Sequence, residues 1–179
     1  MIFTNARLIF PDAIREGLEV IVHEGKITEL REAGYVGEKD IIDLGGNYLA
    51  PGFVDLHIHG AVGRATMEAT AEAFRAICDY HASGGTTSLL LTTATAPIAA
   101  IVKVAQKVRA STSIKQIAGM HVEGPFISKA KPGAQRVTLI RKPMRKAYQP
   151  LLECDDVIKR MTLAPEVPGA ISLIRYGPL

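Results

Sequence analysis

Two histidines in this sequence have the spacing of a metal-binding pair. His57 and His59 are separated by one residue, and Asp55 precedes them at the same interval. Alternate side chains of a β-strand lie on one face, so the three are expected to point the same way. Two imidazoles in this arrangement can chelate one divalent cation. Because Asp55 lies deeper in the strand, we expect it to accept a hydrogen bond rather than bind a metal.

A second alternating pair, His121 and Glu123, lies further along the chain. A carboxylate at the end of a strand can bind a metal ion and hold the water that the metal activates. The alternative is a glutamate that forms a salt bridge with a lysine of the following segment, and these residues alone leave both interpretations open. The candidate metal ligands are therefore His57, His59 and Glu123.

The pattern of apolar residues predicts that both pairs lie at the ends of parallel strands. From residue 51 onward, predicted strands (53–58, 89–91, 117–122 and 157–163) alternate with predicted helices (67–83, a helix that starts at Pro97, 144–153 and 169–176). This alternation is typical of a parallel sheet with right-handed crossovers. Residues 51–179 amount to about half of the ~250 residues of a complete (β/α)8 barrel, whose enzymes place their chemistry at the carboxyl ends of the strands.

Residues 1–50 have a different character, with short apolar segments broken by turns. Segments 18–22 and 26–30 flank a turn that contains Gly25, which predicts a hairpin. We predict a small β-sandwich lobe for residues 1–50. The predicted fold class is α/β: a partial (β/α)8 metal-dependent hydrolase barrel of about four βα units over residues 51–179, preceded by that lobe.

The composition excludes several classes of protein. No apolar run approaches the ~18 residues of a membrane span, which argues against a membrane partner. The N-terminus lacks an apolar signal core, and two cysteines, Cys78 and Cys154, do not make a disulfide framework. These features predict a cytoplasmic protein. A formal net charge of +3 is too small to indicate a nucleic-acid partner.

The positive charge is concentrated between Glu123 and Glu153, where no acidic residue occurs. The seven basic residues of this segment are Lys129, Lys131, Arg136, Arg141, Lys142, Arg145 and Lys146. They could be a solvated loop and helix face, or they could attract an anionic, phosphorylated substrate. Charge alone leaves both interpretations open.

Four motifs carry a resemblance to a known family. Residues 51–60, Pro-Gly-Phe-Val-Asp-Leu-His-Ile-His-Gly, resemble the opening motif of the amidohydrolases. Residues 121–126, His-Val-Glu-Gly-Pro-Phe, resemble the narrower signature of the N-acetylglucosamine-6-phosphate deacetylase family, and the segments 84–88 and 162–166 are similar to the same family. The resemblance covers nearly the whole chain, with the motifs in the same order.

This resemblance implies a metal-bearing barrel closed by a β-sandwich, which hydrolyses the acetamide of N-acetylglucosamine 6-phosphate to glucosamine 6-phosphate and acetate. It implies a divalent metal cofactor, zinc or iron. Glu123 matches the family's invariant metal ligand, and His57 and His59 match the second metal pair of some members. Ala134 and Gln135 match the dipeptide that touches the sugar. The implied partner is a small phosphorylated aminosugar, with neither nucleic acid nor membrane, and a homodimer is compatible with the family.

The sequence also departs from the family's pattern. The family's general acid/base aspartate and two further histidine ligands have no match here, so we expect no catalytic residue in this chain and predict a truncated, inactive fragment. The family usually has histidine where Gln135 stands and an acidic residue near Arg64 and Ala65. The alternatives are another amidohydrolase, such as a cyclic amidase or deaminase, or a non-catalytic remnant that binds a metal or a sugar phosphate.

Overall fold

The computed structural model of the chain describes residues 1–34 and 40–176. The chain divides into two compact units, Met1–Pro51 and Gly52–Leu179. Among the described residues, no helix is both long enough and apolar enough to cross a membrane.

The N-terminal unit consists of short strands in two sheets. The strands described in it are β1 (Ile2–Thr4), β2 (Arg7–Ile9), β3 (Ile14–Arg15), β4 (Leu18–His23), β5 (Lys26–Glu32), β6 (Ile41–Asp43) and β7 (Tyr48–Leu49). One sheet has the order β5-β4-β1-β6 and the other β3-β2-β7. Strands β4 and β5 form the predicted antiparallel hairpin. Ala6, Leu8 and Val20 are buried and form the core of this unit.

The second unit alternates strands and helices. Its strands are β8 (Phe53–Ile58), β9 (Gly60–Ala61), β10 (Arg64–Ala65), β11 (Thr86–Thr93), β12 (Ile117–Glu123) and β13 (Ile158–Thr162). Its helices are α1 (Ala71–Ser83), α2 (Ile98–Ala110), α3 (Arg145–Leu152) and α4 (Ala170–Tyr176), and 3-10 turns cover Thr66–Glu68 and Val137–Leu139.

Four strands of this unit form one sheet in the order β13-β12-β11-β8. All three pairings are parallel, and the register places Thr92 beside His121 and Glu123 beside Thr162. The carboxyl ends of the four strands therefore lie along one edge of the sheet. The predicted α/β class with a parallel sheet is confirmed.

The helices bury their apolar stripes against this sheet. Leu89 and Leu91 of the central strand β11 are fully buried, as are Phe74 of α1 and Ile101 of α2. Burial from both faces explains why the centre of β11, Leu89 to Leu91, is a continuous apolar run rather than an alternating one.

Two predicted helix starts were wrong. The predicted helix over 67–83 is divided into a 3-10 turn and α1, because Ala69 adopts a left-handed conformation and the Thr70 hydroxyl caps α1 by accepting from the Ala73 N–H. Pro97 is not the first residue of α2 but its N-cap, since its ψ of 140° is extended.

Candidate metal centre

The end of strand β8 brings the imidazoles of His57 and His59 together, with their Nε2 atoms 3.2 Å apart. The His59 Nδ1 atom lies 3.2 Å from the Thr92 carbonyl oxygen on β11. A carbonyl only accepts hydrogen bonds, so Nδ1 carries a proton in this contact, and Nε2 is the nitrogen through which a neutral His59 can bind a metal. The His59 carbonyl in turn accepts from the Thr66 N–H at 2.8 Å. The local structure thus presents a metal-binding nitrogen.

Glu123, the last residue of β12, completes the cluster. Its Oε2 atom lies 2.9 Å from the His59 Nε2 and 3.8 Å from the His57 Nε2, and its side chain is 21% exposed. The three ligand atoms lie within 4.8 Å of one another. Atoms that share one cation through bonds of ~2.0–2.1 Å are themselves about 3 Å apart, so the spacing suits a common ion.

The chemistry of these donors also fits a cation. The Glu123 carboxylate oxygen lies 2.9 Å from the His59 Nε2, and either a proton on that nitrogen or a cation shared by the two atoms matches this spacing. Two imidazoles and a carboxylate are the donor set that zinc and iron accept.

His121 packs against the cluster of His57, His59 and Glu123 but is not a member of it. It is fully buried, and its ring centroid lies 5.0 Å from that of His57. Its Nε2 lies 2.7 Å from the Thr162 hydroxyl. Burial, followed by the positive charges of Arg160 and the other two histidines, lowers the pKa of His121 to about 4. It is therefore a neutral ring at neutral pH.

Two further contacts hold the backbone that carries the histidines. The Asp55 Oδ1 accepts from the His57 N–H at 2.9 Å, which agrees with the expected hydrogen-bonding role. The Thr92 hydroxyl accepts from the Ile58 N–H at 2.9 Å and donates to the Leu90 carbonyl at 3.2 Å. These hydrogen bonds fix the end of β8 to the neighbouring strand β11.

The segment after β12 returns to the cluster at Gln135. Its Nε2 donates to Glu123 Oε2 at 2.8 Å, and its Oε1 accepts from the Thr95 N–H at 2.7 Å. Ala134 beside it is exposed. Within the described part of the chain, the ionic partners of Glu123 are histidines, and no lysine takes the place proposed for it in the alternative interpretation.

The amidohydrolase family pattern matches residues 48–174, which is more than half of the chain. The chain belongs to the amidohydrolase family.

Several amidohydrolases resemble the chain over nearly its whole length. It is 31% identical over 182 residues to the N-acetylglucosamine-6-phosphate deacetylase of Lysinibacillus sphaericus, with 98% of this chain and 46% of the relative covered. It is 33% identical over 179 residues to the deacetylase of the same name from Bacillus subtilis (strain 168), with 92% and 44% covered.

A solved amidohydrolase structure gives the same result. The crystal structure of the N-acetylglucosamine-6-phosphate deacetylase from Pasteurella multocida superposes with a TM-score of 0.88 at 30% identity, covering 97% of this chain and 46% of that one. The chain thus spans less than half the length of these relatives.

Sequence reasoning did not find the threonines that support this amidohydrolase site. Thr66 and Thr92 contact His59 or Ile58 through backbone or hydroxyl groups. Thr95 contacts Gln135 and Thr162 contacts His121, and both of these partners lie against the cluster. The available signal was the run of threonines directly after the apolar core of β11, where a strand reaches the functional edge of the sheet. Threonine also favours strands for steric reasons, so its type alone did not indicate a role.

Proposed function

We propose that this chain forms the metal-binding part of an N-acetylglucosamine-6-phosphate deacetylase. The observation that carries the proposal is the convergence of His57, His59 and Glu123 at the carboxyl edge of the parallel sheet. The names of the similar proteins supply the reaction, namely hydrolysis of the acetamide to glucosamine 6-phosphate and acetate.

At the level of the fold, we infer that residues 51–179 contribute about four βα units of a (β/α)8 barrel. Curvature of the sheet supports this inference. Strands β8 and β13 are the outer strands of the sheet, yet the Arg160 Nη1 on β13 lies 3.4 Å from the Leu56 carbonyl oxygen on β8. Contact across two intervening strands requires a strongly curled sheet, as in a barrel. Residues 1–50 are proposed as the accompanying β-sandwich lobe.

The metal ion and the side chains have separate roles in the proposed reaction. When bound, a divalent cation, zinc or iron, would lower the pKa of water toward ~7 and polarise the acetyl carbonyl. Glu123 and the two histidines would hold the ion, and Asp55 and Thr92 would keep the histidine backbone in place. Among the described residues, no second carboxylate joins the cluster, so we assign no general acid to this chain.

The substrate would approach from the segment that contains Ala134 and Gln135. Exposed cations, Lys129, Lys131 and Arg136, lie close to this dipeptide in sequence. We propose that they attract the 6-phosphate of the sugar. A cytoplasmic location is proposed as well, because Cys78 and Cys154 are free, buried thiols and reducing compartments preserve thiols.

The metal site is tested by titrating the purified chain with zinc and with ferrous iron in a calorimeter. We expect saturable binding by the native chain and loss of most of it in Glu123→Gln, because an amide oxygen carries no charge to match the cation. Glu29→Gln removes an exposed carboxylate of the N-terminal unit and is the matched control. Absence of binding, or equal binding by native chain and Glu123→Gln, would overturn the proposed metal centre.

The substrate class is tested separately with the metal-loaded chain. N-acetylglucosamine 6-phosphate should bind more tightly than N-acetylglucosamine, and the difference should shrink as salt screens the cations. Equal affinity for both sugars at low and high salt would show that the phosphate does not contribute to binding.

A further inference from the structure

Gln135 lies between the carboxylate of Glu123 and the backbone of Thr95, with hydrogen bonds of 2.8 Å and 2.7 Å to the two. We propose that Gln135 is a positioning residue for the metal centre, which fixes the Glu123 carboxylate for the cation. This inference rests on the proposed metal-dependent function. The proposed role differs from a sugar contact, because it concerns Glu123, a side chain proposed to bind the metal, and applies before any substrate binds.

The chemistry of the two partners determines how the amide of Gln135 is oriented. The Thr95 N–H can only donate, so the Gln135 Oε1 must face it. The Nε2 group then necessarily faces Glu123, whose ionised carboxylate can only accept. The opposite orientation would place two donors together at one end and two acceptors at the other. Both ends of the side chain therefore specify a single arrangement.

The anchor at Thr95 is itself fixed relative to Glu123. The residue after Glu123 is Gly124, and a Cβ atom placed there would lie 2.1 Å from the Thr95 hydroxyl oxygen. The Thr95 side chain thus packs directly against the backbone of Gly124, which has a φ of +75°. Thr95 is 5% exposed. Gln135 consequently connects the Glu123 carboxylate to a buried residue that packs against the residue after Glu123.

This bridge has a defined consequence for metal binding. A glutamate has three rotatable side-chain bonds, and holding it in one rotamer before the cation arrives reduces the entropy lost on binding. Hydrogen-bond partners of metal ligands are typically worth ~10–100-fold in metal affinity. One N–H of the Gln135 amide remains for a ligand, so positioning Glu123 does not exclude a contact with sugar.

Two substitutions separate positioning from packing. Gln135→Met keeps the length of the side chain and removes both hydrogen bonds. Gln135→His keeps them, because a neutral imidazole has one acceptor and one donor nitrogen that flank a single carbon, as the oxygen and nitrogen of the amide do. Gln106→Met, at an exposed position of α2, is the matched control.

The measurement is the zinc dissociation constant of each variant by calorimetry, together with the thermal stability of the metal-free chain. We expect zinc binding to weaken by about tenfold or more in Gln135→Met, to stay within about threefold of native in Gln135→His, and to be unchanged in Gln106→Met. The metal-free chain should be less stable in Gln135→Met, because the buried Thr95 N–H loses its acceptor, and native-like in Gln135→His and Gln106→Met. Nuclear magnetic resonance of the native chain should show the Gln135 side-chain amide protons shifting on addition of zinc.

The outcomes are distinguishable. Failure of the native chain to bind zinc overturns the metal centre and this inference together. Native-like zinc affinity in Gln135→Met overturns the positioning role alone, and so does equal weakening in Gln135→Met and Gln135→His. If Gln135→Met does not fold, the native resonance experiment decides, and unshifted amide protons reject the role.

Discussion

Thr92 and Thr93 are adjacent, fully buried residues with opposite hydrogen-bonding situations. The Thr92 hydroxyl accepts from the Ile58 N–H, whereas the Thr93 hydroxyl has no partner among the described residues. Replacing a hydroxyl by a methyl group is costly only where it leaves a buried partner unsatisfied. The pair therefore offers a controlled test of what holds the end of β8.

We predict that Thr92→Val lowers the free energy of unfolding by about 1–3 kcal/mol, because the Ile58 N–H loses its acceptor. Thr93→Val makes the same replacement of a hydroxyl by a methyl group, and it should leave the free energy of unfolding unchanged or raise it. Urea denaturation of both variants measures the difference. Equal destabilisation in the two would mean that packing, not the hydrogen bond, decides the stability of this strand end.

At this scale the sequence predicted which side chains converge but not the residues that support them. His57, His59 and Glu123 followed from alternation along strands and from their motifs, which depend on local geometry alone. The contact from Gln135 to Glu123 could not be predicted, because it depends on the path of an irregular segment between β12 and α3. Only the family resemblance singled out Gln135, and the sugar contact that it implied stays a prediction.

Strand β12 depends on a close approach at Gly119, which has a φ of +147°. A Cβ atom there would lie 2.6 Å from the Val157 carbonyl oxygen, just before β13. Gly63 also has a positive φ, +76°, but has open space around it. Gly119 thus combines a steric contact with a backbone conformation that is more restricted to glycine than that of Gly63.

We expect Gly119→Ala to destabilise the chain more than Gly63→Ala does. Gly63→Ala should cost about 1–2 kcal/mol from its left-handed backbone. Gly119→Ala should add about 1–3 kcal/mol of overpacking against the Val157 carbonyl. Thermal or urea unfolding of both variants gives the comparison, and similar losses would argue against the close approach of these backbones.

Helix α2 is tied to the turn before β13 by an ion pair. The Arg109 Nε donates to Asp156 Oδ2 at 2.6 Å, and a second guanidinium nitrogen pairs with Oδ1. The hydrogen bonds from Arg109 lower the pKa of Asp156 below its usual value, 3.8. Because the pKa of Asp156 is lowered in the folded chain, the ion pair contributes stability at pH values above the usual carboxyl pKa. This stability is lost as the pH falls through the lowered pKa.

The expected result for Asp156→Asn is a lower Tm at neutral pH and a difference from native that shrinks below about pH 4. Asp155→Asn, at the exposed neighbouring position, should change Tm little at any pH. Thermal melts across this range supply the measurement. A difference that persists unchanged into acid would show that charge on Asp156 is not the cause.

The elements were predictable where the apolar pattern was continuous. Strand β8 was predicted with the bounds that it has, and β11 was predicted from Leu89 to Leu91, only the buried centre of its observed range. The short pair β9 and β10 was not predicted, because two-residue strands have no period to detect. The turn between them brings the Thr66 N–H onto the His59 carbonyl.

Over the second unit as a whole, both outer strands of the sheet have an unpaired side among the described residues. Strand β8 pairs with β11 and strand β13 with β12. Phe53 and Val54 of β8 are 69% and 64% exposed. An apolar cleft beside β13 is lined by Leu151, Leu163 and other residues. Unpaired edges with apolar side chains favour association with further β-structure.

We predict that a polypeptide of residues 1–179, even with zinc or iron added, has no meaningful deacetylase turnover. The described residues offer one cluster of three metal-binding side chains, and its single carboxylate is the proposed ligand Glu123. A positioned general acid for the leaving amine typically contributes ~10²–10⁴-fold, and among the described residues no second carboxylate joins this cluster.

The assay is release of acetate from N-acetylglucosamine 6-phosphate by the purified, metal-loaded polypeptide, with light scattering to record its state of association. We expect acetate release no faster than in a Glu123→Gln control, and self-association through the unpaired edges of β8 and β13. Turnover within about tenfold of the ~10 s⁻¹ that is usual for enzymes would contradict the prediction. A proton donor for the amine would then have to lie within residues 1–179, and Asp55, whose carboxylate accepts from the backbone N–H of His57, would be the first to replace.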